Sequence, residues 1–253
     1  MADAHDGNSW LERMARMRSN ELQQHVLGAY FSLRAGIVVL SLAFPLTLYF
    51  GGRWWDGIPL QTSMSAYYGA HDGFMRNWFV GILWVVGWFL YAYKGFSTLE
   101  NIVLNIAGVF GVLIAMVPCR CWDADPESSK VHGFVAVSFF VLMAFVCIRC
   151  GPDTIELLPD KQQQARFRRY YNIIGAAMVL SPAAALLVSY VVRQLVNYKF
   201  FVEMFGIYAF ATYWLVKSWE LSITSAEKTA AQGRAENVPG RGVVCLDDVQ
   251  PQR

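Results

Sequence analysis

Ser65, His71, Asp72, His132 and Glu203 are the residues of this chain whose types could carry chemistry. Hydroxyl, imidazole and carboxylate groups gathered in one place can hold a metal ion, activate a water molecule or relay a proton. The first three fall in the stretch "SMSAYYGAHDGFMRNWFVG", residues 63–81, which also supplies Tyr67, Tyr68, Arg76 and Asn77 as groups that could bind and orient a polar headgroup. This polar cluster abuts a run of tryptophan, phenylalanine and valine directly.

Glu203 is the most informative single residue, because it interrupts the apolar run "YKFFVEMFGIYAFATYWLV". An ionisable group inside a membrane span costs about 2.5–3.5 kcal/mol at the centre on insertion scales and faces a partner or water. Arg76 and His132 are the candidate partners. A purely structural Glu203–Arg76 pair, or a protonated carboxyl bonded to backbone, stands open beside the functional reading. His71, His132 and Glu203 form a candidate ligand set for zinc, with Ser65 or Tyr68 as supporting hydrogen-bond partners. Their spacing matches no metal motif, and a lone histidine at such a place is more often an interfacial residue. A serine nucleophile has less behind it, since no G-x-S-x-G elbow is present and no base is assigned. Cys119 and Cys121 are too close in sequence for an easy mutual disulfide. Cys147 and Cys150 form a lone C-x-x-C pair, usually incidental.

The elements that must position these residues read as membrane helices. Of 253 residues, 55% are hydrophobic and 16% charged, against about 25% charged in soluble domains. The net charge of +2 is too small to argue for a nucleic-acid partner. Five scattered cysteines make no disulfide framework. A bilayer core needs about 20 largely apolar helical residues, and six such runs begin at Ala35, Asn77, Asn101, His132, Tyr170 and Tyr198. No secretory signal is expected ahead of the first, so it should be retained as a helix.

The predicted fold class is therefore all-α, a polytopic bundle of six spans. Threaded this way, fifteen Lys and Arg lie on one side and six on the other. The positive-inside rule then puts both termini in the cytoplasm of a multi-pass inner (plasma) membrane protein, with membrane lipids as partners. Residues 34–219 form the membrane domain. Residues 1–33 read either as an amphipathic helix lying on the inner leaflet or as a helix continuing into the first span. Residues 220–253, rich in small and charged side chains, are expected to be a disordered tail. Pro45 and Pro182 should bend their helices. Asn105, Gly108, Gly111 and Ala115 share a small-residue face that should let a neighbouring helix approach closely. This topology gathers His71, His132, Asp72 and Arg76 on the outer side, with Glu203 about 7 Å deep.

The segments "SMSAYY", "MRNWFVGILWVVGWFLYAYKG", "ENIVLNIAGVFGVLIAMVP", "VHGFVAVSFFVLMAF" and "VEMFGIYAFATYWLVKS" resemble a family of uncharacterised bacterial six-span membrane proteins. That family's pattern is S-x-S-A-Y-Y, an M-R-D-x-F-V-G helix start, a histidine opening a later helix and a glutamate in the last. The chain departs from it at Asn77, where aspartate is expected, and in the longer bridge "GAHDGF". A remoter likeness is to the alkaline ceramidase and adiponectin receptor superfamily, whose zinc hydrolase site is built from serine, aspartate and three histidines. Ser65, His71, Asp72 and His132 would be a reduced version of it, without the late paired histidines. Three functions follow as expectations. They are a metal-dependent hydrolase of a lipid amide or ester, a proton-linked transporter or sensor of a small solute or lipid, and a structural subunit without catalysis.

Overall fold

The computed structural model describes residues 4–70, 73–117, 126–191, 198–232, 235–238 and 242–245. The chain is built of helices: α1 (Ala4–Leu46), α2 (Gly52–Trp54), α3 (Phe74–Ala92), α4 (Thr98–Met116), α5 (Pro126–Phe145), α6 (Lys161–Val191), α7 (Tyr198–Thr224) and α8 (Ala226–Ala231). A two-stranded antiparallel hairpin follows, β1 (Ala235–Val238) and β2 (Gly242–Cys245), with Ala235 opposite Cys245 and Val238 opposite Gly242. Among the described residues, four stretches are long and apolar enough to cross a membrane: Glu21–Trp54, Phe74–Ala92, Thr98–Met116 and Lys130–Leu157. The protein is thus an all-α membrane protein, and among the described residues the first four of the six expected spans meet that test. α6 and α7 match them in length, at 31 and 27 residues, but α7 carries Lys199, Glu203, Lys217 and Glu220.

The helices pack in chain order, α3 on α4, α4 on α5, α5 on α6 and α6 on α7, and α1 closes the bundle against α3 and α7. The tightest crossing follows from the small-residue face of α4. A Cβ on Gly108 would stand 2.6 Å from the Gly87 carbonyl oxygen, and one on Gly87 would stand 2.7 Å from the Gly108 oxygen. Two helices can approach this closely only where neither carries a side chain.

Residues before 34 are not a separate element, because α1 runs without a break from Ala4 into the apolar stretch. Just beyond Pro45 the winding widens into a π-type turn over Thr47–Gly51, the response expected where proline removes a backbone donor. α6 continues through Pro182. The expected disordered tail is corrected in part. α7 extends to Thr224, α8 follows, and β2 packs on the helical turns of Gly151–Leu157, burying Val243. The signal overlooked was the short β-branched run in "GVVC", which needs a partner strand to become legible.

At one end of the bundle, residues 58–68 tuck inward and Ile58, Gln61, Ser63, Met64, Ser65, Ala66 and Tyr67 are buried. Gly73 restarts the helix with φ at +84°, the left-handed region that a side chain disfavours. At the other end, Ser97 caps α4 by accepting from the Glu100 N–H at 3.1 Å, while the Glu100 carboxylate reaches back to the Phe96 N–H at 2.7 Å. This is a capping box shifted by one residue.

Candidate functional site

The inward tuck of residues 58–68 brings backbone to α7. The Phe200 N–H donates to the Thr62 carbonyl at 3.2 Å, and the Met64 N–H donates to the Glu203 carboxylate at 2.7 Å. Ser63 and Ser65 lie beside that contact with their hydroxyl oxygens 3.1 Å apart, and Ser63 Oγ also accepts from the Ala66 N–H at 3.1 Å. The single turn Ser65–Tyr68 and the residues just before it therefore present Ser65 and Ser63 beside the contact with α7.

His132 joins from the first turns of α5. Its Nδ1 lies 2.8 Å from the Val117 carbonyl oxygen. A carbonyl only accepts, so Nδ1 carries the proton and donates, which leaves Nε2 of the neutral ring as a lone-pair acceptor.

These groups share one cavity of about 300 Å³. Ser63, Ser65, His132, Ser181, Lys199 and Glu203 supply its polar lining. Its remaining wall includes Phe44, Phe79, Ile114, Phe139, Phe140 and Ile207. A mostly apolar cavity with a few convergent polar groups is the form of a small-molecule site, here at the small end of the range.

Of the nine sequence-predicted site residues, the structure brings Ser65, His132 and Glu203 together. Tyr67 is buried elsewhere, its ring 6.1 Å from that of Phe200 and its edge filling the space that a side chain on Gly52 would need. Burial pushes the Tyr67 hydroxyl above the usual tyrosine range. Tyr68 stacks edge-on with Phe79 at 6.2 Å, and Arg76 lies over the Tyr68 ring at 5.7 Å. Arg76 is exposed and is not the partner of Glu203, as Asn77 is also exposed and apart from the cavity. The partner is backbone instead, because residues 62–65 reach Glu203 first. His71, Asp72, Cys119 and Cys121 lie outside the described residues. Among the described residues, no three His, Cys, Asp or Glu side chains stand close enough to hold a metal ion.

No family model, curated protein or solved structure matches this chain.

Sequence reasoning missed a second polar centre at the other end of α7. Lys217 Nζ donates to the Gly151 carbonyl (2.9 Å), Thr154 Oγ1 (2.6 Å) and the Glu220 carboxylate (3.0 Å). Glu220 also accepts from the Thr154 hydroxyl and from Tyr171 Oη, the latter at 2.6 Å. Lys217 is 1% and Glu220 0% exposed, and the Lys217 ammonium stands 5.7 Å from the Phe96 and Tyr171 ring centres. Cys147 donates to the Tyr171 carbonyl at 3.2 Å; its thiol and that of Cys150 are buried and free. Nearby, Arg34 forks onto Glu227 of α8 and donates to Ser218 Oγ at 3.1 Å. The legible signal was a lysine and a glutamate at i, i+3 among Trp214, Trp219 and Leu221, an ion pair set inside an apolar face.

Proposed function

We propose that the protein is a six-span membrane protein, both termini cytoplasmic, that binds a small amphiphile in an outward-facing cavity of the inner (plasma) membrane. The observation that carries this reading is the cavity itself, apolar along most of its wall and polar where Ser63, Ser65, His132 and Glu203 converge. Such a lining matches a molecule with a hydrocarbon part and one compact head. The fifteen-to-six distribution of Lys and Arg supports the orientation. The length of α6 and α7 supports the fifth and sixth spans.

The test uses Gly133, which lines the cavity and has nothing within 4 Å of where a Cβ would stand. Gly133→Leu starts a side chain at the cavity wall from a Cβ position that meets no neighbour. Lipid extracted from the purified wild type should contain an amphiphile that is missing from an equally monodisperse Gly133→Leu preparation. Identical extracts would sink the reading.

Hydrolysis of a lipid amide or ester is the second reading, favoured by the tautomer that the Val117 carbonyl imposes on His132. Nε2 is then free to accept a proton or to ligate zinc, the metal expected from the sequence, with Glu203 and the Ser65 hydroxyl lining the same cavity. Elemental analysis of wild type beside His132→Ala and Glu203→Gln tests it. About one metal per chain, lost in both variants, would support hydrolysis. A metal content unchanged by either substitution would remove His132 and Glu203 as ligands.

A further inference from the structure

We infer that the head of the bound molecule is a primary ammonium group, recognised by Glu203; this rests on the amphiphile reading above. The polar end of the cavity is rich in acceptors. It offers the Glu203 carboxylate, the Nε2 lone pair of His132 and the hydroxyl oxygens of Ser63 and Ser65. An ammonium has three donors and no acceptor, and so finds a partner for each proton there. A carboxylate or phosphate head would find donors in the serine hydroxyls and Lys199 but would meet the like charge of Glu203.

Charge leads to the same class. Glu203 is held by a neutral donor, the Met64 N–H, and among the described residues no lysine or arginine forms a salt bridge with it. The ion pairs of the described residues are Arg34–Glu227 and Lys217–Glu220, both far along the chain from Glu203. Lys199 lines the same cavity one turn earlier on α7, but its side chain is exposed and does not close on the carboxylate. A carboxylate at an apolar cavity that feels only the field of the exposed Lys199, with no ion pair among the described residues, is costly until a cation binds beside it. The cavity wall beyond it, from Phe79 to Phe139 and Ile207, then takes the chain of the amine.

The experiment is native mass spectrometry in a non-ionic maltoside detergent, with tetradecylamine, tetradecanol and tetradecanoate as probes on wild type, Glu203→Gln and Gly133→Leu. Tetradecylamine should bind wild type at one per chain and more tightly than the alcohol. Its affinity should fall about tenfold or more in Glu203→Gln, the size of a charge-assisted hydrogen bond. Equal binding of all three probes, unchanged in Glu203→Gln, would overturn the amine assignment while leaving the amphiphile cavity standing. A preference for tetradecanoate would overturn it too, in favour of Lys199 as the reader of the head. Binding of none of the probes to wild type would count against the amphiphile reading itself. Should Glu203→Gln fail to fold, the order of amine and alcohol on wild type alone decides.

Discussion

α7 buries charge at both ends and handles it in opposite ways. Glu203 and Lys217 are fourteen positions apart, about 21 Å along a helix. At Lys217 every ammonium proton has an acceptor and the carboxylate of Glu220 is filled by Thr154, Tyr171 and the lysine. At Glu203 the backbone N–H groups of Met64 and Ser65 approach the carboxylate, Lys199 acts on it without an ion pair, and the carboxylate lines a cavity. The same desolvation problem is solved internally in one place and left open in the other. A closed network fixes the relative position of chain segments. An open one leaves free energy to be supplied by something that binds.

Breaking the closed end should have the largest effect. Lys217→Met leaves Glu220 buried without its cation and should destabilise the protein by about 3–5 kcal/mol, as removal of one partner of a buried pair does. Thermal or denaturant unfolding in detergent reads it. The double variant Lys217→Met/Glu220→Gln should recover part of the loss, and a single variant that unfolds like wild type would abolish the contrast between the two ends. Next in size, Gly108→Ala puts a methyl group on the Gly87 carbonyl and should cost about 1–3 kcal/mol by forcing α3 and α4 apart. The same unfolding measurement checks it, and Gly81→Ala on α3, where nothing stands within 4 Å, provides the comparison.

Glu203→Gln should change stability by less than about 1 kcal/mol, because the amide oxygen still accepts from the Met64 N–H. A loss as large as that of Lys217→Met would make the Glu203 end structural. The smallest effect should come from Arg76→Ala, which removes an exposed cation over the Tyr68 ring worth about 0.5–1 kcal/mol. No change in ligand binding should accompany it, since Arg76 stands apart from the cavity.

What could be read from the sequence divides along the same line. The helical fold, the approach of another helix to Gly108 and the meeting of Ser65, His132 and Glu203 all follow from apolar runs, small residues and ionisable groups placed where they are costly. Each is a local oddity in the sequence itself. Arg76 went wrong because depth in the membrane gives a shared level, not a shared direction. Its side chain turns to Tyr68 while the backbone of Met64 takes the place beside Glu203. The Lys217 network was missed for a different reason, although the i, i+3 pair with Glu220 stood in the sequence. Its members come from α6, α7 and the Gly151–Leu157 turns, and Lys217 near the end of an apolar run looks like an ordinary flanking charge until Thr154 and Tyr171 are seen around it. The hairpin was missed because a strand of four residues has no meaning without the turn it rests on.

That hairpin sets an order of events during synthesis. β2 lies against the Gly151–Leu157 turns, with Gly242 so close to the Asp153 carbonyl that a side chain there would collide, and those same turns supply Gly151 and Thr154 to Lys217. β2 follows α1 to α8 in the chain, so it is made after the segments that form the surface it covers. A released chain cut before Gly242 would therefore keep every lining residue of the cavity at one end of α7 while leaving the turns around Lys217 uncovered at the other.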